Sequence, residues 1–163
     1  MAICGTRSMR KSFLPAIAAV VCFAASAAAV DARAAGEGVG KWRWSAAESH
    51  YTTGNYATEQ TMEITRNDKK GIAVSQVVTP LDGKTFSWSI DAPYDDKMRQ
   101  ASTWMSFAFR RVSANSFHDR YVMNDGKKGE ETFTISPQKI VIKGNYFHEG
   151  KKLPYVEVWD RVE

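Results

Sequence analysis

Cysteine is nearly missing from this chain. Cys4 and Cys22 are its only two, and both fall in the first 35 residues. If that segment is removed, what remains forms no disulfide and uses neither thiolate catalysis nor thiolate metal ligation. Histidine is sparse as well: His50, His118 and His148 lie far apart, without a His-x-His or His-Glu-x-x-His pattern, so no metal site and no cofactor is expected. There is no Gly-x-Ser-x-Gly elbow and no glycine-rich phosphate loop. Convincing helical periodicity over ten residues is also absent, apart from a short turn expected around residues 46–51. Strands without crossover helices exclude Rossmann and P-loop designs.

The net charge of +4 is also misleading. Arg7, Arg10, Lys11 and Arg33 stand against Asp31 in residues 1–34, which leaves 18 basic and 17 acidic residues in the rest. So small an excess offers no footprint for nucleic acid or for an anionic membrane. The basic start is followed by an alanine-dominated apolar run from Leu14 to Val30, the pattern of a secretory signal. Ala-x-Ala sites place candidate cuts after Ala27, Ala29 or Ala34, and the mature chain is expected to begin near Ala35 or Gly36. The run is short and weakly hydrophobic for a membrane span and contains Pro15. Lys11 replaces the second arginine of a twin-arginine signal, and Val21 before Cys22 does not suit lipidation. Ordinary export to the bacterial periplasm or beyond, without a stable membrane anchor, is the expectation. Residues 1–35 form the cleaved signal and 36–163 form one domain, enough for a single core.

What the mature part has in abundance is alternation. Met62 and Ile64, then Ile72, Val74 and Val78, then Phe86, Trp88 and Ile90 are each spaced by polar or small residues. The series continues through Met105, Phe107 and Phe109, through Phe117, Tyr121 and Met123, and on to Tyr155–Val162. A period of two over some nine or ten segments predicts an all-β protein. Turn clusters such as Asn67-Asp68-Lys69-Lys70-Gly71, Asp82-Gly83-Lys84 and Asn124-Asp125-Gly126 predict antiparallel neighbours. The expected architecture is an antiparallel up-and-down β-barrel of about 8–10 strands. Its first and last strands would lie side by side, so that Trp42, two residues after Gly40, is covered by Arg161.

Several motifs run in a shared order with this pairing. They are Gly40-Lys41-Trp42, Glu48-Ser49-His50-Tyr51, Asp82-Gly83-Lys84, Tyr94-Asp95-Asp96, Arg111-Val112-Ser113-Ala114-Asn115-Ser116-Phe117 and Val158-Trp159-Asp160-Arg161. The set resembles the lipocalin and calycin group, and more closely small exported bacterial lipocalin-like proteins of unknown function. The second lipocalin motif, a Thr-Asp-Tyr-like triplet, has no counterpart, so the chain resembles a calycin cousin more than a lipocalin proper. The resemblance implies a ligand-binding barrel, with Gly40, Trp42 and Arg161 as closure residues.

Five Trp, six Tyr and six Phe in the mature part favour a cavity walled by rings, though aromatic residues at period two also serve simple core packing. The lumen candidates are Phe86, Trp88, Phe107, Phe109, Tyr121 and Met123, with Arg111 in phase with its strand as a polar anchor. Asp119 shares that in-phase position, and both charges face water instead if the strands end or bulge there. Asp95-Asp96 and Glu130-Glu131 read as solvated pairs, since neighbours on a strand point to opposite faces. The face assignment around Tyr155, Glu157 and Trp159 against Val156, Val158 and Val162 stays open. The leading expectation is non-covalent binding of a small hydrophobic or amphipathic molecule. A protein-interaction module, such as a protease or lysozyme inhibitor, is the alternative: residues 51–56 and 97–104 would present its surface, and Trp104 would be lid or interface anchor. A small barrel isomerase or cyclase using His118 or Asp119 is the third.

Overall fold

The computed structural model describes residues 37–162, and the expected export segment therefore lies outside the described residues. Eleven strands follow one another: β1 (Gly40–Trp44), β2 (His50–Tyr51), β3 (Ala57–Asn67), β4 (Ile72–Pro80), β5 (Phe86–Ala92), β6 (Arg99–Ser102), β7 (Met105–Ser113), β8 (Ser116–Met123), β9 (Lys128–Ile135), β10 (Lys139–His148) and β11 (Lys151–Arg161). No helix occurs among the described residues, and the short turn expected around 46–51 is present at 46–48 and leads into the two-residue strand β2. Residues 97–104, expected as a loop, contain β6.

The strands form an antiparallel, nearly closed barrel with the order β5-β4-β3-β1-β11-β10-β9-β8-β7-β6, and β2 pairs with β11 off this path. Chain ends meet as expected: β1 pairs with β11, with Trp42 opposite Arg161. The Arg161 guanidinium lies 5.0 Å from the centre of the fully buried Trp42 ring. It also donates to the Val39 carbonyl, and Trp42 Nε1 donates to the Gly38 carbonyl at 2.9 Å. Indole and guanidinium thus tie both ends of the chain together at one end of the barrel.

The seam lies mid-chain, between β5 and β6. Among the described residues no ladder joins these two strands. Rings bridge the gap: Trp88 packs on Phe107 at 4.5 Å between centroids, and Phe86 meets Trp104 edge-on at 5.0 Å. Such contacts hold strands together through apolar burial where hydrogen bonds do not.

Alternation fails on β11, where Tyr155, Glu157, Val158 and Trp159 are all buried. The cause is the 45–49 turn, which covers the outer face: Ser45 N–H donates to the Val158 carbonyl at 2.8 Å, and Val158 N–H donates to Ser49 Oγ at 3.0 Å. Glu157 and Trp159 point to the lumen, and Val158 packs under the turn.

Candidate functional site

The barrel encloses a cavity of about 680 Å³, within the ordinary size range of small-molecule sites. Phe86, Trp88, Phe107, Phe109, Tyr121 and Met123 all line it, and so does Trp104. Each strand delivers its ring by period two, every second residue facing the lumen. Thr53, Gly54, Tyr56 and Lys127, all exposed, mark the rim.

Arg111 is the exception. It does not line the cavity, because its side chain is held by groups at the closed end, beside the bulge of β7 between Arg111 and Ser113. There it bonds to the buried Asn67 Oδ1, donates to the Ala114 carbonyl at 2.6 Å and lies 5.1 Å from the Tyr94 ring centre. Tyr94 OH donates to the same Asn67 oxygen at 2.6 Å. The expected polar anchor of the lumen is therefore part of an end plug.

Three acids enter the lumen, Asp119, Glu131 and Glu157, beside the neutral polar groups of Gln76 and the lining tyrosines. Asp119 on β8 follows the inward phase of Phe117 and Tyr121, and is only 1% exposed. Its cross-strand partner is Glu131 on β9, which faces Gly144 on β10, which faces Tyr155 on β11, which faces Tyr51 on β2. One register level therefore carries an acid, an acid, a glycine and two tyrosines around half the wall. Glu157 joins them from two residues beyond Tyr155. Tyr51 OH donates to Glu157 Oε1, Trp159 Nε1 donates to Glu157 Oε2 at 2.9 Å, and Tyr155 OH donates to Glu131 Oε1.

Asp119 Oδ1, by contrast, has no hydrogen-bond partner. Leaving such a buried acceptor unmade costs roughly 1–3 kcal/mol, which a fold tolerates where the group has work to do. Burial pushes all three carboxyls up, and their mutual repulsion adds to it for Asp119 and Glu131: Asp119 lies well above its ordinary value, Glu131 reaches about 8, and Glu157 is raised. Burial also raises the hydroxyls of Tyr51 and Tyr121.

Two glycines make this arrangement possible. A Cβ on Gly129 would stand 2.4 Å from the Tyr121 ring, and one on Gly144 would stand 2.6 Å from the Tyr155 ring. Each tyrosine lies flat across the glycine opposite it, Tyr121 over Gly129 and Tyr155 over Gly144. Seated this way, the Tyr155 hydroxyl reaches Glu131.

The Glu130-Glu131 pair is thus only half solvated. Glu130 faces out and bonds Lys152 Nζ at 2.7 Å, while Glu131 lines the cavity, so the expectation of two solvated acids is corrected by the strand phase itself. Asp95 and Asp96 are surface groups paired with Arg99 and Arg120. His118 is not a lumen group: it takes the outward phase, 3.3 Å from Thr132 Oγ1, and burial beside Arg110 lowers it. Residues 51–56 form part of the cavity wall, braced by Thr52 Oγ1 to the Pro154 carbonyl and by Thr53 Oγ1 to the Tyr146 hydroxyl, both at 2.7 Å. Among the described residues no cluster of three potential metal ligands has the geometry to hold an ion.

Comparison with known proteins places the fold. No protein-family model matches the chain, and no curated protein is similar to it in sequence. Among solved structures, one point mutant of the fluorescent protein UnaG aligns over 76% of this chain and 95% of its own, with a TM-score of 0.51 and 14% identity. A second point mutant of the same protein covers 77% and 96%, with a TM-score of 0.50 and 14% identity. At that identity the likeness is one of barrel architecture.

Proposed function

We propose that this barrel binds one small apolar or amphipathic molecule non-covalently, and that it does so as an exported protein. The cavity carries the reading: about 680 Å³ enclosed by rings of Phe86, Trp88, Phe107, Phe109 and Tyr121 is space that a packed core would have filled. Affinity would come from burying ligand surface against this wall, at roughly 25 cal/mol per Å² of apolar area before the costs of association. The polar end of an amphipathic ligand would meet the acids and tyrosines at mid-barrel. Export is supported by the basic start and the apolar run of Leu14–Val30.

Native mass spectrometry of protein purified from an exporting host, before and after solvent extraction, tests both parts. The expected result is a chain starting near Ala35 or Gly36, carrying an extra mass that extraction removes. Titration of the extracted protein with Nile red should then shift the emission of Trp88 and Trp104, which line the cavity. A clean apo mass together with no response to the dye would overturn the binding reading.

A further inference from the structure

The cavity wall holds acid without base. Asp119, Glu131 and Glu157 reach the lumen from three strands, and among the lining residues Lys127 is the only cation. That lysine sits exposed at the rim with its ammonium 2.7 Å from Asp125. The other basic group expected inside, Arg111, is held at the closed end by Asn67 and Ala114. Beside the acids, Tyr51 stacks on Tyr155 at 5.2 Å, and Tyr56 meets Tyr51 edge-on at 5.1 Å. Most decisive is Asp119, 1% exposed, lining the cavity, with Oδ1 free of any partner.

Resting on the small-molecule reading above, we infer that the ligand carries a protonated primary or secondary amine on its apolar body, and that this amine donates to Asp119 with Glu131 and Glu157 around it. An ionised carboxylate only accepts hydrogen bonds, and an ammonium only donates them, so the two are complementary. Aromatic faces next to the acids attract the same cation through their quadrupoles. An anionic headgroup meets no cation in the lining deeper than Lys127 at the rim, and a neutral hydroxyl brings no charge to the three carboxyls.

Proton linkage follows. The groups facing the amine are Asp119 and Tyr121 from β8, Glu131 from β9, Tyr155 and Glu157 from β11, Tyr51 from β2 and Tyr56 from the segment after it, with the apolar Phe109 opposite Asp119. None is cationic, so an incoming ammonium stabilises the ionised carboxylates and expels their protons. Where one proton leaves per amine bound, Kd falls about tenfold per pH unit.

Octylamine, 1-octanol and octanoate, matched in chain length, separate the possibilities when titrated by calorimetry into the solvent-extracted protein at pH 6, 7 and 8. Octylamine should bind at least tenfold more tightly than octanol at pH 7, octanoate most weakly, and only the amine should strengthen as pH rises. Asp119→Asn should bring the amine to within about threefold of the alcohol, with a far-ultraviolet circular dichroism spectrum that overlays the wild type to report that the barrel is folded, and Glu130→Gln, on the outer face, should leave both affinities unchanged. Glu157→Gln is the second variant, expected to shift the amine in the same direction. Octanol or octanoate binding as tightly as the amine would overturn the amine assignment and leave the small-molecule reading standing. Failure of all three, with a clean apo mass, would overturn both.

Discussion

Raising the pH through neutrality should destabilise this barrel, the reverse of what most ionisable surfaces do. Glu131, pushed up to about 8, keeps its proton in the folded state at pH 7, whereas an unfolded glutamate has lost it. Asp119, pushed well above its ordinary value, behaves the same way. The folded state then binds more protons than the unfolded one, so stability falls with pH by about 1.4 kcal/mol per unit for each proton held. The loss begins near the unfolded carboxyl range and ends once the folded groups have ionised.

The clean window is pH 6.5 to 8. His118, lowered by burial and Arg110, adds stability with rising pH only up to its unfolded value near 6.5. Asp68, Asp95, Asp125 and Glu130, all lowered by hydrogen bonds or charge partners, change only at acid pH, where their contribution is lost. Across 1.5 pH units one held proton costs about 2 kcal/mol, and the slope counts the protons that the coupled acids hold together. Urea melts at 25 °C followed by tryptophan emission measure it. Glu131→Gln should flatten the slope by about one proton, and Glu130→Gln, on the outer face, should leave the slope as it is. A wild-type midpoint that stays level or rises between pH 6.5 and 8 would refute the burial of these acids.

Arg161→Ala should destabilise the barrel by about 1–2 kcal/mol, through loss of the cover over Trp42 and of the bond to Val39, seen as a lower urea midpoint at unchanged slope. Gly129→Ala should cost about 1–3 kcal/mol, because its Cβ overlaps the far end of the Tyr121 ring and pushes it off the wall towards the cavity, and Tyr121→Ala should rescue most of that loss in a double-mutant cycle. Trp104→Ala removes the ring that closes the seam against Phe86, and should accelerate Nile red exchange several-fold with at most a small stability loss.

The alternating segments and the hairpin glycines announce an antiparallel barrel because strand phase and turn chemistry are local properties, written over a few residues at a time. The Trp42 and Arg161 pairing is legible for a related reason: an up-and-down order leaves the chain ends as neighbours whatever lies between. Six of the lumen candidates follow directly from phase, and Glu131, two residues before Phe133, and Glu157, two residues after Tyr155, share the phase of those lining rings.

What the order of residues does not contain is how strands behave at their ends and what covers their outer faces. Arg111 obeys the phase of β7 and still leaves the lumen, because Asn67, from the end of β3, and the Ala114 carbonyl hold its guanidinium at the closed end. Glu157 is buried in the lumen, and its neighbour Val158 is buried as well because a turn 109 residues earlier, at Ser49, folds over the outside of β11. The mid-chain seam likewise depends on where β5 and β6 fall once the other strands have paired. Only the closed register sets Asp119, Glu131 and, across Gly144, Tyr155 on one level, since that juxtaposition depends on four strands pairing in step and on a glycine that leaves room for a ring.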